Sequence, residues 1–488
     1  MMERSGVSRR ALGGLALGGV LGGAAMGLSG CERPAETDLK PKSRQFPKDF
    51  IRGVASAAFQ TEGAQDVDGR GPSVWDVFEK VPGHVKDGSD ATVATDSYRR
   101  FQEDVDLIAG AGLDAYRFSI SWSRVLPTDE GAVNAAGLDH YSRLVDALLA
   151  KGIAPYATLF HWDLPQALQA KGGWANRDTA LRLADYAQAV VGRLGDRLKN
   201  YIILNEAAVH AVVGHVLGEQ APGLKDVNLL GKVVHHMNLG QGLAIQALRA
   251  GGRDLNIGTT LALQPCRPAG GPWAVWNRLA SDGLDALWNK AWLDPLLKGT
   301  YPKDMDDFLK GGVVHDGDLA TMRQPVDFVG VNYYAPVYVR LDLAAPGKIA
   351  MAAPPKGAEL DAFGRHIDPS GLYEMLDRVR REYGAPKTLV TENGCSDPFG
   401  TGPAILDDQF RITYLRRHLE AVLAAREAGC DVRGYFEWTL IDNFEWDLGY
   451  TSKFGLVAMD RTTGVRTPKA SYAWFKTLAE SGVLPSSP

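Results

Sequence analysis

Eight times after residue 49 the chain passes from a short β-branched or aromatic run to a longer helical pattern, and this alternation limits its fold more than any other feature. The runs fall at 50–57, 115–121, 154–161, 200–205, 256–263, 327–333, 387–391 and 432–439. Helical patterns fill 97–111, 137–151, 177–194, 229–250, 369–382 and 408–428, and a last amphipathic piece covers 469–480. Strands that alternate with helices form parallel sheets covered on both faces. A doubly wound open sheet needs a Gly-rich phosphate turn after its first strand to bind a nucleotide, and none follows here. Eight units without a Pro/Ser-rich linker predict an α/β protein with one closed (β/α)8 TIM barrel over 49–484. Residues 264–276 and 335–366 show little periodicity and read as loops with short helices at the barrel mouth.

The chain has 488 residues, which by length alone would suggest two or three domains, but one large barrel accommodates them. Lys and Arg number 53 against 58 Asp and Glu, a net charge of −5, so no basic field exists to hold nucleic acid. Cys266, Cys395 and Cys430 are an odd, widely spaced trio, and no Cys or His pair has zinc spacing. No metal or cofactor is expected. Cys395 reads as a small buried residue.

The first 31 residues stand apart. Arg4, Arg9 and Arg10 precede an apolar run from Ala11 to Leu28 that is rich in Gly and Ala. Its weak hydrophobicity argues against a permanent membrane span. Ser8-Arg9-Arg10-Ala11-Leu12 looks like a twin-arginine export signal, and Leu28-Ser29-Gly30-Cys31 resembles a bacterial lipobox. Residues 1–31 are therefore expected to be an export signal. Cleavage would leave Cys31 lipidated at the new N-terminus, anchored stably by two or three acyl chains. Residues 32–48 read as a polar tether. The expected location is the periplasm or a bacterial membrane surface.

Polar residues at the C-terminal ends of barrel strands usually serve chemistry. Here they are Gln60 and Glu62; Arg117 and Trp122; His161-Trp162-Asp163; Asn205-Glu206; Asn332-Tyr333-Tyr334; Glu392-Asn393; and Trp438 followed by Asp442-Asn443-Phe444-Glu445-Trp446. Glu206 and Glu392 directly follow apolar runs whose ends face each other across a barrel mouth. One strand-end glutamate is as readily a rim salt bridge. Two, among Asn, Gln, His and Trp, point to a general acid/base and a nucleophile. A glycosidase of either stereochemistry uses such a pair, close together for retention and farther apart for inversion. The surroundings also suit a sugar, whose hydroxyls want amides, carboxylates and imidazole and whose C–H faces want a ring such as Trp438.

These motifs resemble glycoside hydrolase family 1, the β-glucosidase family, from about residue 46 to 480. The matching strings are Phe59-Gln60-Thr61-Glu62-Gly63, Gly69-Arg70-Gly71-Pro72-Ser73-Val74-Trp75-Asp76 and Tyr116-Arg117-Phe118-Ser119-Ile120-Ser121-Trp122-Ser123-Arg124. Phe160-His161-Trp162-Asp163-Leu164-Pro165, Thr391-Glu392-Asn393-Gly394 and Asp442-Asn443-Phe444-Glu445-Trp446 follow in family order. The resemblance implies a retaining, exo-acting β-glycosidase, most simply a β-glucosidase for small β-glucosides or short β-linked oligosaccharides. It implies that Glu392 is the nucleophile and Glu206 the acid/base, with Arg117 and Tyr334 supporting Glu392. Asn205 and Asn332 would serve the 2-hydroxyl side, and Gln60, His161 and Trp446 the 3-hydroxyl and its neighbour. Glu445 would span the 4- and 6-hydroxyls, and Trp438 would be the platform. A carboxylate at Glu445 would repel a 6-phosphate, so unphosphorylated sugars are expected.

The chain departs from the family at Asn205-Glu206-Ala207-Ala208, where Asn-Glu-Pro-Trp is usual. This removes an aromatic wall on the leaving-group side, so the family's leaving-group preferences do not transfer. Two other readings use the same barrel: a transglycosidase working with the same carboxylates, and a sugar-binding protein without activity. The second usually lacks one catalytic glutamate, and both are present here.

Overall fold

The computed structural model describes residues 39–128, 131–344, 348–397 and 404–486. Cys31 and the whole leader lie outside them. Eight parallel strands close into one barrel: β1 Ile51–Ala55, β2 Ala115–Ser119, β3 Ala154–Phe160, β4 Asn200–Asn205, β5 Asn256–Ala262, β6 Phe328–Asn332, β7 Thr388–Asn393 and β8 Val432–Trp438. Each pairs with its sequence neighbours, and β1 closes the ring against β8 with Val54 opposite Glu437 and Ala55 opposite Trp438. The (β/α)8 expectation holds. β2 is buried throughout and β3 and β4 at all but their first residue, as strands covered on both faces must be.

The barrel is filled with side chains. Tyr156 of β3 lies 5.2 Å from Phe436 of β8 and 6.4 Å from Phe328 of β6, ring centre to ring centre. These strands are not neighbours, so the rings meet across the lumen. Glycine makes room for them: a Cβ on Gly53 would come within 2.5 Å of the Phe436 ring, and one on Gly258 within 2.5 Å of Phe328. Any side chain there would force apart a core packed to crystal density.

The outer helices bury one stripe each. In Asp178–Leu194 the buried positions include Leu183, Tyr186, Ala187, Val190, Val191 and Leu194, at the spacing of one helix face. A fully buried Val or Leu is worth about 1.5–3 kcal/mol. The exposed Arg182–Asp185 pair on the other face, at 2.8 Å, is worth at most about 1 kcal/mol. Burial therefore decides where this helix lies.

The structure adds order where the sequence showed none. Cys266–Pro268, Val337–Leu341 and Ile349–Met351 form a three-stranded sheet over the mouth. Its core is Ala280 and Leu284 against Val339 and Ile349, with the helix Val275–Asp285 as backing. Strands of three to five residues are too short to show a period. Cys395 and Cys430 are buried and Cys266 is partly so, all three as free thiols.

Candidate active site

The strand ends converge on a cavity of about 410 Å³ lined by His161, Glu206, Tyr334, Glu392, Trp438, Glu445 and Trp446, with Trp288, Met351 and Arg365 also in its lining. Glu392 lies inside β7, opposite Asn332 of β6, because the strand runs to Asn393, two residues beyond the end that the sequence pattern gave it. Arg117 Nη1 donates to its Oε1 at 2.5 Å, and the Tyr334 hydroxyl donates to its Oε2 at 2.7 Å. Arg117 is completely buried and also donates to Thr158 Oγ1, the Thr391 carbonyl and Asn205 Oδ1. Each carboxylate oxygen thus has a fixed donor, one of them cationic, an arrangement that suits an anion. Burial, and next the charge of Glu392, raise the Tyr334 hydroxyl well above the usual tyrosine range, so it stays a proton donor.

Glu206 follows β4 in a left-handed backbone conformation, φ 47° and ψ 52°. A non-glycine residue there is strained by roughly 1–2 kcal/mol. Trp162 and Trp446, which line the same cavity, share the feature with φ of 75° and 50°. The Glu206 N–H donates to the Thr260 carbonyl at 2.9 Å, and the Glu206 carbonyl accepts from Val209 N–H at 2.9 Å. These bonds hold the turn in which Ala207 and Ala208, both buried, replace the family's proline and tryptophan. The Glu206 carboxyl accepts from Asn332 Nδ2 at 3.0 Å, and no cation among the described residues is bonded to it. Burial, and next the charge of Glu392, raise its pKa; the Asn332 bond opposes them. Two glutamates in one cavity thus have unlike settings: one faces an arginine, the other favours its proton.

The expected sugar contacts line up around this pair. Asn205 Nδ2 donates to His161 Nε2 at 2.9 Å, and Asn332 Nδ2 donates to Asn205 Oδ1 at 3.2 Å. Burial, and next the Arg117 charge, hold His161 well below the usual histidine range, so its ring is neutral. With Nε2 accepting, the proton sits on Nδ1, which is buried without a hydrogen-bond partner among the described residues. Gln60 Nε2 donates to the Phe444 carbonyl at 2.8 Å and to Asn443 Oδ1 and Glu445 Oε2 at 3.2 Å. Its Oε1 is also buried without a hydrogen-bond partner among the described residues. A buried unpaired polar group costs about 1–3 kcal/mol. A donor and an acceptor left this way suit ligand hydroxyls. Trp438 and Trp446 build the aromatic wall, their rings 5.9 and 6.0 Å from His161, and Trp446 packs 4.7 Å from Trp162 and stacks on Phe59 at 5.9 Å.

Burial pushes Glu445 up to about 8, while Arg365 pulls the other way. At neutral pH Glu445 thus favours its proton, which weakens the charge repulsion expected against a 6-phosphate. Arg365, Trp162 and Asn443 were not singled out from sequence. Asn443 and Trp162 sit inside the quoted motifs, where their neighbours drew the attention. Arg365 lies in the unpatterned stretch 335–366 and carried no signal.

The family model described as glycosyl hydrolase family 1 matches residues 42–483. A bifunctional β-D-glucosidase/β-D-fucosidase of Bifidobacterium breve is 43% identical over 456 residues, covering 88% of this chain and 97% of that protein. β-Glucosidase A of Thermotoga maritima is 38% identical over 446 residues, covering 90% of this chain and 99% of that protein. The solved structure of a family 1 β-glucosidase from Thermotoga maritima superimposes with a TM-score of 0.86 at 38% identity, over 91% of this chain and all of that one. A psychrophilic β-glucosidase of Micrococcus antarcticus gives 0.85 at 39% identity, over 90% of this chain and 98% of that one. With a family match over nearly all the described barrel, the chain belongs to glycosyl hydrolase family 1.

Proposed function

We propose that the protein is a retaining, exo-acting β-glucosidase for small unphosphorylated β-glucosides or short β-linked oligosaccharides, with Glu392 as nucleophile and Glu206 as acid/base. The observation that carries this is the unlike setting of the two carboxyls: Glu392 between Arg117 and Tyr334, Glu206 buried with the Asn332 amide as its one bonded partner among the described residues. Glu392 attacks the anomeric carbon while Glu206 gives its proton to the departing oxygen. The ester formed removes the Glu392 charge, which lowers the Glu206 pKa. Glu206 then takes a proton from water, whose oxygen displaces Glu392 and restores the starting configuration. Asn205 and Asn332 hold the 2-hydroxyl side, where binding strengthens most at the transition state. Gln60 Oε1 and His161 Nδ1 pair with the 3-hydroxyl and its neighbour, together with Trp446. Glu445 serves the 4- and 6-hydroxyls and Trp438 the sugar face. Relatives at 38% and 43% identity named β-glucosidases support glucose as the first sugar to test.

The test is a panel of 4-nitrophenyl β-glycosides (glucoside, galactoside and fucoside), with the first-formed anomer followed by NMR. Turnover of the glucoside with β-glucose appearing first is expected. α-Glucose appearing first would exclude the double displacement, and sugar binding without turnover would favour the inactive binding protein.

The same proposal covers the leader: residues 1–31 direct export, Cys31 carries the lipid, and residues 32–48 tether the barrel. Its support is the Ser8-Arg9-Arg10 and Leu28-Ser29-Gly30-Cys31 strings. Cys31→Ser is expected to move the protein from the membrane to the soluble fraction of bacteria expressing the full chain. Equal membrane partition of both forms would refute lipidation.

A further inference from the structure

The part of the cavity lining that comes from the small sheet, its backing helix and the segments beside them combines an apolar wall with one cation. Leu284, Trp288, Val337, Met351 and Pro354 form the wall. Arg365 is the only Lys or Arg among the described lining residues. Its position is fixed on several sides. Asp361 Oδ2 accepts from Nε at 2.9 Å and from Nη2 at 2.6 Å, and Asp361 Oδ1 accepts from the Arg365 backbone N–H at 3.0 Å. The guanidinium lies 4.6 Å from the Phe363 ring centre, 4.9 Å from Tyr334 and 5.4 Å from Phe454, close enough for cation–π attraction to all three. Nη1 has no hydrogen-bond partner among the described residues. The Arg365 side chain retains 29% of its exposure, against 4% for Asp361. Arg365 also lines the cavity, and Nη1 is the guanidinium nitrogen that Asp361 leaves unbonded.

We infer that Arg365 makes this β-glucosidase selective for leaving groups that carry a carboxylate, with the β-glucosides of aromatic hydroxy acids as the substrate class. The inference rests on the β-glucosidase reading above. An aryl ring fits the wall of Trp288, Leu284 and Met351, and its carboxylate meets the free Nη1 edge. Arginine suits this task because its planar fork pairs with a carboxylate and its orientation is already fixed by Asp361 and the rings. Repulsion from the catalytic anion is limited, since Arg117 already faces Glu392. An anion on the sugar is the competing placement, since the Arg365 charge also reaches Glu445, and the test below separates the two. The missing tryptophan at Ala208 fits as well: the leaving-group wall comes from the small sheet and Trp288, beside the arginine.

The test compares 4-carboxyphenyl β-D-glucoside with its methyl ester on the purified protein at low ionic strength. The ester has the better leaving group, so intrinsic chemistry favours it. One charge-assisted hydrogen bond gives about a tenfold advantage or more. The expected result is a kcat/KM about tenfold higher for the carboxylate, a ratio that falls as salt is added and drops below one in Arg365→Gln. Free 4-hydroxybenzoate should likewise inhibit the unmodified protein about tenfold more strongly than its methyl ester, a measurement independent of how the variant folds. An equal ratio in both proteins, or equal inhibition by acid and ester, overturns the inference. Arg365-dependent preference for 4-nitrophenyl β-glucuronide over the glucoside would place the anion on the sugar and overturn it too. No turnover of either glucoside, nor of the 4-nitrophenyl β-glucoside, by the unmodified protein would instead strike the β-glucosidase reading.

Discussion

Glu392→Gly is expected to lower kcat on an aryl β-glucoside by at least about 10⁴-fold, because it removes the group that forms the covalent bond. The variant leaves the Arg117 guanidinium and the Tyr334 hydroxyl without their carboxylate. A buried charge stripped of its partner costs about 3–5 kcal/mol, so Glu392→Gln, which keeps size and a polar oxygen, should be the more stable of the two. The small variant has its own diagnostic. Azide is an anion that fits the vacated space beside Arg117 and attacks from the face Glu392 used. With a leaving group such as 2,4-dinitrophenolate, which needs no proton, one displacement then yields α-glucosyl azide. Rate against azide concentration and the anomeric coupling constant of the product check both parts. Residual activity within tenfold of the parent protein, in a preparation shown to be folded by circular dichroism, would remove Glu392 from the mechanism.

The sequence makes the barrel legible because each strand is a run of residues fit for burial on both faces, and each helix shows a stripe. The two carboxylates are legible because a glutamate directly after an apolar strand, as at Leu204-Asn205-Glu206 or Val390-Thr391-Glu392, has few structural reasons to be there. What could not be read is whatever depends on contacts between distant loops. Arg365 gains its meaning only from Asp361, Tyr334 and Phe454 around it. The sheet built from Cys266–Pro268, Val337–Leu341 and Ile349–Met351 is held by Leu284 of a helix between its strands. The backbone of Glu206 was also hidden. Ala207 replaces a proline that would have limited the preceding residue, yet Glu206 is held in a left-handed turn through its N–H to Thr260. The protonation of Glu445 could not be read either, since its charge depends on burial against the pull of Arg365. In the same way, the orphaned Gln60 Oε1 and His161 Nδ1 follow from bonds their other atoms make to Glu445 and Asn205.

Glu206→Ala tests the other half of the mechanism, and its effect should depend on the leaving group. A positioned general acid contributes about 10²–10⁴-fold, so an alkyl β-glucoside, whose leaving oxygen needs the proton, should lose activity on that scale. With 2,4-dinitrophenyl β-glucoside the first step barely needs the acid. The second step still lacks its base, so the glycosyl-enzyme accumulates and KM falls along with kcat. The pH profile carries a separate sign. The free enzyme works with Glu206 protonated, and burial together with the Glu392 charge raises its pKa. The alkaline limb of kcat/KM in the parent therefore marks loss of that proton: activity is present below the raised pKa and lost as pH rises through it. In Glu206→Ala that limb should flatten. Azide again reads the geometry, with the opposite outcome. It attacks the glycosyl-enzyme already formed on Glu392, so two displacements occur and the product is β-glucosyl azide. If Glu206→Ala instead gave the α-azide, or kept an unaltered alkaline limb with alkyl glucosides, the acid/base would have to be sought elsewhere. Glu445, the other carboxyl whose burial raises its pKa in the same cavity, would be the residue to test next.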